Sequence, residues 1–407
     1  MKLKDIARYV TDKVGSDAIG LENYVTTDSI LQNKAGRVEA SNLPPTSCTL
    51  TRFQKGDILI ANIRPYLRKI WLADIDGGCN ADVLVFRATN GFSSAFVYAV
   101  LMQDSFYTYT MKGAKGSKMP RGDKDQIMRF EIPSNLQDAD GIGNLIVSIK
   151  TKIDLLNQIN RNLEAMARQL YDYWFVQFDF PDENGRPYKS SGGAMVWDQK
   201  LKREIPQGWH CGTLLDIAEY TNGLACQKFR PTSDSKLPVI KIKEMHVGLS
   251  DDTEWVKADI PDEVKVFDGD VLFSWSASLE VMLWAYGKGG LNQHIFKVTS
   301  KNGYPRSFYF YQCVSYICVF KQMAEARKTT MGHITQDHLR QSTIALPPNI
   351  EIVHKLEEKL CPILDAIVKN SQEIMNLTKQ RDELLPLLMN GQVSVKPTSV
   401  NCDLSLD

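Results

Sequence analysis

Neither sign of charge predominates in this sequence, which has 48 basic and 48 acidic side chains among 407 residues. Proteins that bind nucleic acid alone usually carry a basic excess, so the balance weakly disfavours a stand-alone nucleic-acid binder. A subunit whose partner supplies phosphate contacts is not excluded. The chain also lacks a secretory signal peptide and any apolar run near the roughly 18 residues of a membrane span, so we expect a soluble protein with no membrane partner.

Metal-binding and disulfide patterns are missing as well. The eight cysteines form no C-x-x-C pair and no zinc-ligand spacing. The six histidines are scattered, with no matched cysteine or histidine partners. We therefore expect no metal site, and with nothing that marks secretion the expected location is the reducing cytoplasm.

Sequence motifs of common catalytic sites are absent too. There is no G-x-x-x-x-G-K-[S/T] loop, no G-x-G-x-x-G after a strand, and no Asn/Asp-Pro-Pro-aromatic string of amino-methyltransferases. Glu263 and Lys265 have the E-x-K form of nuclease sites, but the nearest acid, Asp262, is adjacent and leaves no normal metal-binding separation. The sequence favours a non-catalytic protein that binds and positions. A stand-alone methyltransferase or nuclease remains a less favoured alternative.

What the sequence does contain is nearly the same layout twice, about 213 residues apart. The separation between matching positions drifts by only three residues over half the chain. The matches are Asp-Ile-Ala at 5–7 and 216–218, Gly-Asp-Ile/Val-Leu at 56–59 and 269–272, Asn80 with Asn292, and Pro133 with Pro347. A period this long indicates a duplicated domain rather than a solenoid repeat.

Each copy is followed by a long apolar heptad pattern. The first follows alternating steps of four and three through Ile142, Ile146, Ile149, Ile153, Leu156, Asn160, Leu163, Ala167, Leu170 and Trp174. The second does so through Leu356, Leu360, Ile363, Ile367, Asn370, Ile374, Leu377, Arg381, Leu384 and Leu388. More than four heptads of this kind predict a coiled coil.

The two seams can pair with each other in antiparallel orientation. If Ile142 faces Leu388, the same register places Asn160 opposite Asn370, although neither amide was used to set it. We predict that these amides hydrogen-bond and fix the register, as a buried polar pair does in other coiled coils. Two independent, partly exposed asparagines are the alternative. Arg381 falls at a seam position, and we expect its guanidinium to reach solvent along its stem.

The predicted fold is therefore α+β. Two similar mixed α/β globular modules are joined by two long helices that form an intramolecular antiparallel coiled coil with a pseudo-two-fold axis. The predicted segments are module one at 1–136, a spacer helix at 137–178, a linker at 179–208, module two at 209–348, a second spacer helix at 349–393 and a loose C-terminal tail at 394–407. We expect the helices to set the separation of the modules, which suits two DNA half-sites about one duplex turn, ~34 Å, apart.

Four segments in this frame resemble the specificity (S) subunit of type I restriction-modification enzymes. They are FDFPDENGRPYKSSGG at 178–193, REIPQGW at 203–209, NQHIFKV at 292–298 and LLPLLMNGQV at 384–393. The resemblance covers essentially the whole chain. It implies that each module is a target recognition domain reading one half of a split sequence in double-stranded DNA, and that the helices are the spacer.

The resemblance also implies partners. In that family two modification subunits bring S-adenosylmethionine and methylate adenine. Restriction subunits complete an ATP-dependent nuclease. S-adenosylmethionine, ATP and Mg would then all be bound by partner subunits, and no cofactor is expected in this chain.

Basic and aromatic segments of module one are candidates for DNA contact. The glycine-containing stretch 111–124 has five basic residues, and each phosphate that they neutralise adds salt-dependent affinity. The second candidate is the strip at 61–71, because arginine is the usual bidentate reader of guanine. The predicted DNA-contacting residues of module one are Arg64, Tyr66, Arg68, Lys69, Lys115, Lys118 and Arg121. The alternative is an ordinary solvated surface.

Module two has different residues at the corresponding places. The two halves diverge most where the strip of module one is replaced by 273–284, as expected of modules that read different half-sites. The predicted contacts of module two are Ser274, Trp275, Ser276, Asn292, Gln293, His294, Arg327, Lys328 and Thr329. A protein scaffold with two partner-binding modules and no DNA reading is the main alternative, but it gives the basic, glycine-rich loop no role.

Overall fold

The computed structural model describes residues 1–133, 136, 138–250, 252–276, 278–326, 334 and 336–395, with only the backbone at 323–326. The chain forms two compact units, Met1–Leu155 with the chain from Leu377 onward, and Leu156–Asn376. We call their globular parts module one and module two. All but the first two residues of the predicted tail at 394–407 lie outside the described residues.

Module one contains eight strands and three short helices. The strands are β1 Ala7–Tyr9, β2 Lys13–Gly15, β3 Tyr24–Val25, β4 Thr49–Phe53, β5 Ile58–Ala61, β6 Ile70–Leu72, β7 Gly77–Cys79 and β8 Val83–Ala88. The helices are α1 Ser94–Met102, α2 Asp104–Lys112 and α3 Lys124–Ile127. The first spacer helix, α4, spans Ala139–Tyr171 and continues into a π-helical turn at Asp172–Val176.

The second unit contains twelve strands and four short or medium helices. The strands are β9 Met195–Asp198, β10 Arg203–Pro206, β11 His210–Thr213, β12 Ala218–Asn222, β13 Lys236–Ile240, β14 Trp255–Lys257, β15 Lys265–Val266, β16 Val271–Ser274, β17 Glu280–Leu283, β18 Gly289–Leu291, β19 Ile295–Ser300 and β20 Thr343–Leu346. The helices are α5 Leu214–Ile217, α6 Ile242–Val247, α7 Arg306–Ala326 and α8 Gln336–Gln341. The second spacer helix, α9, spans Glu351–Met389.

Each module has two four-stranded sheets, and the first of them has the same antiparallel topology in both modules. Its order is β1-β8-β5-β6 in module one and β12-β19-β16-β17 in module two. The second sheets, β2-β4-β7-β3 and β14-β13-β18-β15, share a three-stranded frame in which β3 or β13 runs parallel to the central strand and β4 or β15 runs antiparallel to it. This shared topology confirms the predicted duplication.

A pair of glycines begins the central strand of each frame. A Cβ on Gly77 would lie 2.1 Å from the Asn23 carbonyl oxygen, and one on Gly289 would lie 2.6 Å from Ile240. Since neither site has room for a side chain, the frame depends on glycine there. The fourth strand of this sheet lies at a different edge of the frame in each module. In module one, β2 pairs with β4, the antiparallel neighbour of the central strand, whereas in module two β14 pairs with β13, the parallel neighbour.

The spacer helices pack antiparallel within the first unit. Ile142 and Ile146, near the start of α4, share a buried cluster with Leu385 and Leu388, near the end of α9. The predicted exposure of Arg381 is wrong, because this residue is only 3% exposed. Its Nε donates to Asp382 Oδ1 over 2.9 Å, so a neighbouring carboxylate, not water, balances the buried charge.

Within the second unit, the two helices meet at the predicted polar layer. Asn370 Nδ2 donates to Asn160 Oδ1 over 2.8 Å, which confirms the predicted hydrogen bond. Asn160 is buried, and its own amide donates to Ser371 Oγ over 3.2 Å. The hydroxyl of Ser371 was not part of the predicted layer. That this layer fixes the register stays a prediction.

Replacing both Asn160 and Asn370 with leucine is expected to raise the thermal stability and to loosen the helix register. Apolar packing removes the desolvation of two amides, but it also removes the directional hydrogen bonds that these amides make. Asn160→Leu alone should instead destabilise by about 1–3 kcal/mol, because the Asn370 donor loses its acceptor. Melting curves and spin-label distances across the seam would measure both effects. A double variant with unchanged register would contradict the predicted role.

The aromatic residues after α4 form core rather than an open surface. Tyr171, Trp174, Phe175 and Phe178 are all buried in the large cluster of the second unit, together with Trp209. The predicted linker at 179–208 also contains regular structure, because β9 and β10 pair as an antiparallel hairpin within it. This segment is therefore an ordered part of the second unit.

Candidate nucleic-acid interface

Three connections of module one converge at one place. They are the β5–β6 connection at 62–69, the β7–β8 connection at 80–82 and the α2–α3 loop at 113–123. The backbone N–H of Asn62 donates to the Asp82 carbonyl over 2.8 Å, and its side-chain amide donates to the Gly122 carbonyl over 3.3 Å. The N–H of Arg64 donates to the Pro120 carbonyl over 2.8 Å. The two segments predicted to contact DNA thus lie side by side.

The basic loop is closed by its own backbone. The N–H groups of Lys115 and Arg121 each donate to the other's carbonyl over 2.9 Å. Between them Lys118 is exposed, and the side chain of Lys115 is 82% exposed although its Nζ lies 3.0 Å from Asp123. Two lysine charges therefore remain at the surface, where they can attract phosphates.

The turn at 64–69 presents an arginine and a tyrosine. Arg64 and Arg68 both have φ of +52° and flank a 3-10 turn at Pro65–Leu67. Tyr66, within this turn, is 52% exposed. Arg64 Nε is buried and has no hydrogen-bond partner among the described residues. An unsatisfied guanidinium nitrogen in an αL residue is a strained arrangement, which makes Arg64 a candidate functional residue.

The side chains of the other two basic residues of this turn bind groups of module one. Arg68 Nη1 lies 3.2 Å from Asp104 Oδ2, although the arginine side chain is 45% exposed. Lys69 Nζ donates to the Thr27 carbonyl over 2.5 Å, and burial lowers the pKa of Lys69. Lys69 therefore supports the turn from within, and its contact with DNA stays a prediction.

Asp104 also pairs with Lys34, a buried cation that the sequence did not single out. Lys34 Nζ lies 2.9 Å from Asp104 and 3.4 Å from Asp382 on α9. The backbone N–H of Lys34 donates to the Arg68 carbonyl over 2.9 Å. In the first unit the turn is therefore tied to the spacer helix through one lysine and two carboxylates.

Module two repeats this convergence with different side chains. The N–H of Trp275 donates to the His294 carbonyl over 3.3 Å, as that of Asn62 does to the Asp82 carbonyl. The N–H of Ile334 donates to the Trp275 carbonyl over 2.9 Å, which places the α7–α8 loop beside the β16–β17 connection. The two modules therefore share a scaffold for their loops.

Several predicted contacts of module two are buried. Ser274 is fully buried, with its hydroxyl bonded to the Ser278 carbonyl, and Ser276 is buried as well. The backbone of Asn292 receives from Ile295 and donates to Ile240, and the backbone of Asn80 makes the matching bonds in module one. These three residues are therefore buried within the connections, and their contact with DNA stays a prediction.

Trp275, Gln293 and His294 remain partly accessible. Trp275 Nε1 donates to Asn222 Oδ1 over 2.9 Å, and its ring lies 5.6 Å from that of His294. His294 Nδ1 is buried without a hydrogen-bond partner among the described residues. The other predicted contacts, Arg327, Lys328 and Thr329, lie outside the described residues.

The described residues also bear on metal sites and membrane spans. Within the described ranges, no three histidine, cysteine, aspartate or glutamate side chains are grouped so that they could hold a metal ion. No helix in the described part of the chain is long and apolar enough to cross a membrane.

Comparison with known proteins points to one family. Residues 206–383 match the model of the type I restriction modification DNA specificity domain. The MjaIX type I restriction enzyme specificity subunit of Methanocaldococcus jannaschii is 23% identical over 366 residues, covering 86% of this chain and 80% of that protein. The HindI specificity subunit of Haemophilus influenzae is 21% identical over 466 residues, covering 96% of this chain and 98% of the relative.

A solved structure shares the fold. The crystal structure of a type I restriction-modification system S subunit from M. genitalium superposes with a TM-score of 0.61, at 13% identity, and the match covers 95% of both chains. At this identity the likeness supports the architecture alone.

Proposed function

We propose that this chain is a specificity subunit of a type I restriction-modification enzyme, and that it reads a bipartite target in double-stranded DNA with one module for each half-site. As a specificity subunit it is non-catalytic and selects the DNA on which partner subunits act. That the spacer helices set the distance between the half-sites stays a prediction. The predicted boundaries of the target recognition domains and spacer helices belong to this proposal.

One observation carries the proposal. Three connections meet in the same way in both modules, but the side chains that they present differ. In module one these include Arg64, Tyr66 and Arg121, and in module two Trp275 and His294. A shared scaffold with different surface chemistry is what two readers of different base sequences require, because base edges, not phosphates, carry sequence information.

The finer assignment of partners is also part of the proposal. Two modification subunits would bring S-adenosylmethionine and methylate adenine, and restriction subunits would use ATP and Mg to cleave DNA. The chain would thus hold the catalytic subunits at the DNA without taking part in their chemistry.

Reconstitution with the modification subunit tests the function. The complex should bind one duplex sequence more tightly than scrambled DNA, with an affinity that falls as salt rises, and should methylate adenines only near that sequence. Mapping methylated adenines in host DNA with and without the chain would identify the target. A complex that methylates without sequence preference, or that never binds duplex DNA, would favour the protein-scaffold alternative.

Arg64→Ala is expected to change the base preference at one half-site while leaving the other unchanged. Loss of a base contact costs about 1–3 kcal/mol against the preferred base pair. Competition among duplexes with single base-pair changes would measure this. Arg52→Ala, at an exposed position on β4 of the same module, is the control and should have no effect. Equal weakening at both half-sites would instead assign Arg64 to a phosphate.

A further inference from the structure

We propose that Arg121 reads a base pair in the half-site of module one and that Asp82 is the positioning residue that aims it. This inference rests on the proposed DNA-reading function and names a residue, Asp82, that carries no motif of its own. It also distinguishes Arg121 from the lysines of the same loop, which the sequence places together as one basic cluster.

The geometry of the ion pair supports this role. Arg121 Nε lies 3.0 Å from Asp82 Oδ1, and Arg121 Nη2 lies 3.4 Å from Asp82 Oδ2. The carboxylate thus occupies one edge of the guanidinium. Of the five N–H donors of an arginine, those on Nη1 and the second on Nη2 stay available, and they match the paired acceptors of a guanine. The arginine side chain is 52% exposed, so that free edge is accessible.

Both partners of the pair have fixed backbones. Arg121 is bonded through its N–H and carbonyl to Lys115, and it also forms a β-bridge with Ile63. The Asp82 carbonyl accepts the N–H of Asn62. A guanidinium whose position is set before binding loses less conformational freedom when it meets a base. A base reader needs such positioning, whereas a phosphate contact does not.

The lysines of the same loop offer a contrast. Lys118 is exposed and lies at the middle of the segment that the two backbone bonds between Lys115 and Arg121 close. A flexible ammonium acts as a point charge rather than as a directional fork. We therefore assign Lys118 to phosphate contact and Arg121 to base reading.

Module two has another residue at the equivalent position. The backbone bond from Trp275 to His294 matches that from Asn62 to Asp82, so His294 occupies the place of the positioning carboxylate. An imidazole cannot hold an arginine as a carboxylate does. The half-site of module two should therefore be read by a different pair of groups.

A charge exchange separates positioning from simple anchoring. In the double variant Asp82→Arg with Arg121→Asp the ion pair and the anchored loop are kept. The arginine side chain, however, now extends from the β7–β8 connection instead of from the α2–α3 loop. The reconstituted methyltransferase complex would be tested by competition against duplexes with every single base-pair change in both half-sites. We expect discrimination at one base pair to fall about tenfold or more in this variant and in Asp82→Asn.

Controls make each outcome decisive. The other half-site should keep wild-type discrimination, which shows that the variants fold, and Lys118→Ala should weaken all sequences equally while reducing the salt dependence. Wild-type discrimination in the exchanged variant would overturn the inference, since anchoring alone would then suffice. Uniform weakening by Asp82→Asn would overturn it too. A wild-type complex without any sequence preference would instead overturn the proposed function itself.

Discussion

Replacing Gly143 with valine is expected to unfold the first unit or to separate α4 from module one. A Cβ at this position would lie 2.4 Å from the Phe96 nitrogen and 2.6 Å from the Ala95 carbonyl carbon. Both are backbone atoms of α1, so no side-chain rotation relieves the clash. Because overpacking of a core already costs about 1–3 kcal/mol where side chains can adjust, we expect a loss of about 3 kcal/mol or more here.

Melting of the purified chain, followed by circular dichroism, would measure this loss. The matched control is Asn144→Val, which places the same side chain on the next, exposed residue of the helix. It has the same low helix propensity without the clash, so its effect should stay within about 0.5 kcal/mol. Equal melting temperatures for the two variants would show that α4 does not pack against α1 as described.

Removing the carboxylate of Asp382 should have the second large effect. Asp382→Ala leaves the Arg381 guanidinium, whose side chain is 4% exposed, without its ion-pair partner. Breaking a buried pair in this way costs about 3–5 kcal/mol, and the lower end is expected because Asp382 itself is 41% exposed. Chemical denaturation would measure the change in the free energy of unfolding.

The matched double variant, Arg381→Leu with Asp382→Ala, should recover most of that loss. Leucine at a seam position restores an apolar heptad and removes the buried guanidinium charge that would have no partner. A strongly non-additive double-mutant cycle is therefore expected, because the two residues form one ion pair. Additive losses would mean that Arg381 finds another partner when the carboxylate is gone.

The same pair makes a pH-dependent contribution. Burial alone would raise the pKa of Asp382, but the bonds from Arg381 and Lys34 outweigh it and hold the pKa below its ordinary value. A carboxylate with a lowered folded pKa stabilises fully above its unfolded pKa of about 3.9, and that stabilisation is lost as the pH falls through the folded value. The stability difference between wild type and Asp382→Ala should thus narrow below about pH 4.

The duplicated frame and the helix pairing were predictable because each corresponds to a repeating pattern in the sequence, the matches about 213 residues apart and the apolar heptads. Heptad spacing alone placed Asn160 opposite Asn370, since a seam of more than four heptads allows few registers. The burial of Arg381 and its ion pair with Asp382 were not predictable in this way. Its partner is the next residue along the helix, which a heptad pattern assigns to a different face.

The candidate interface was predicted by segment but only partly by residue. Charge and glycine content identified the strip and the loop of module one, yet nothing in the sequence said that they touch. Asp82 was missed because a single acid after a strand has no pattern. The burial of Ser274 was not predictable either, because a polar residue at a strand end gives no sign in the sequence that its hydroxyl will bond within its own connection.

The first and last segments of each module pair with each other, and this arrangement has a consequence for recombination between genes. Lys2 pairs with Glu131 where module one begins and ends, and Cys211 pairs with Ala345 at the same place in module two. The chain of each module therefore begins and ends on backbone segments that are hydrogen-bonded to each other. If each module reads one half-site as proposed, recombination between genes at these junctions would exchange a complete DNA-reading module and leave the rest of the protein unchanged.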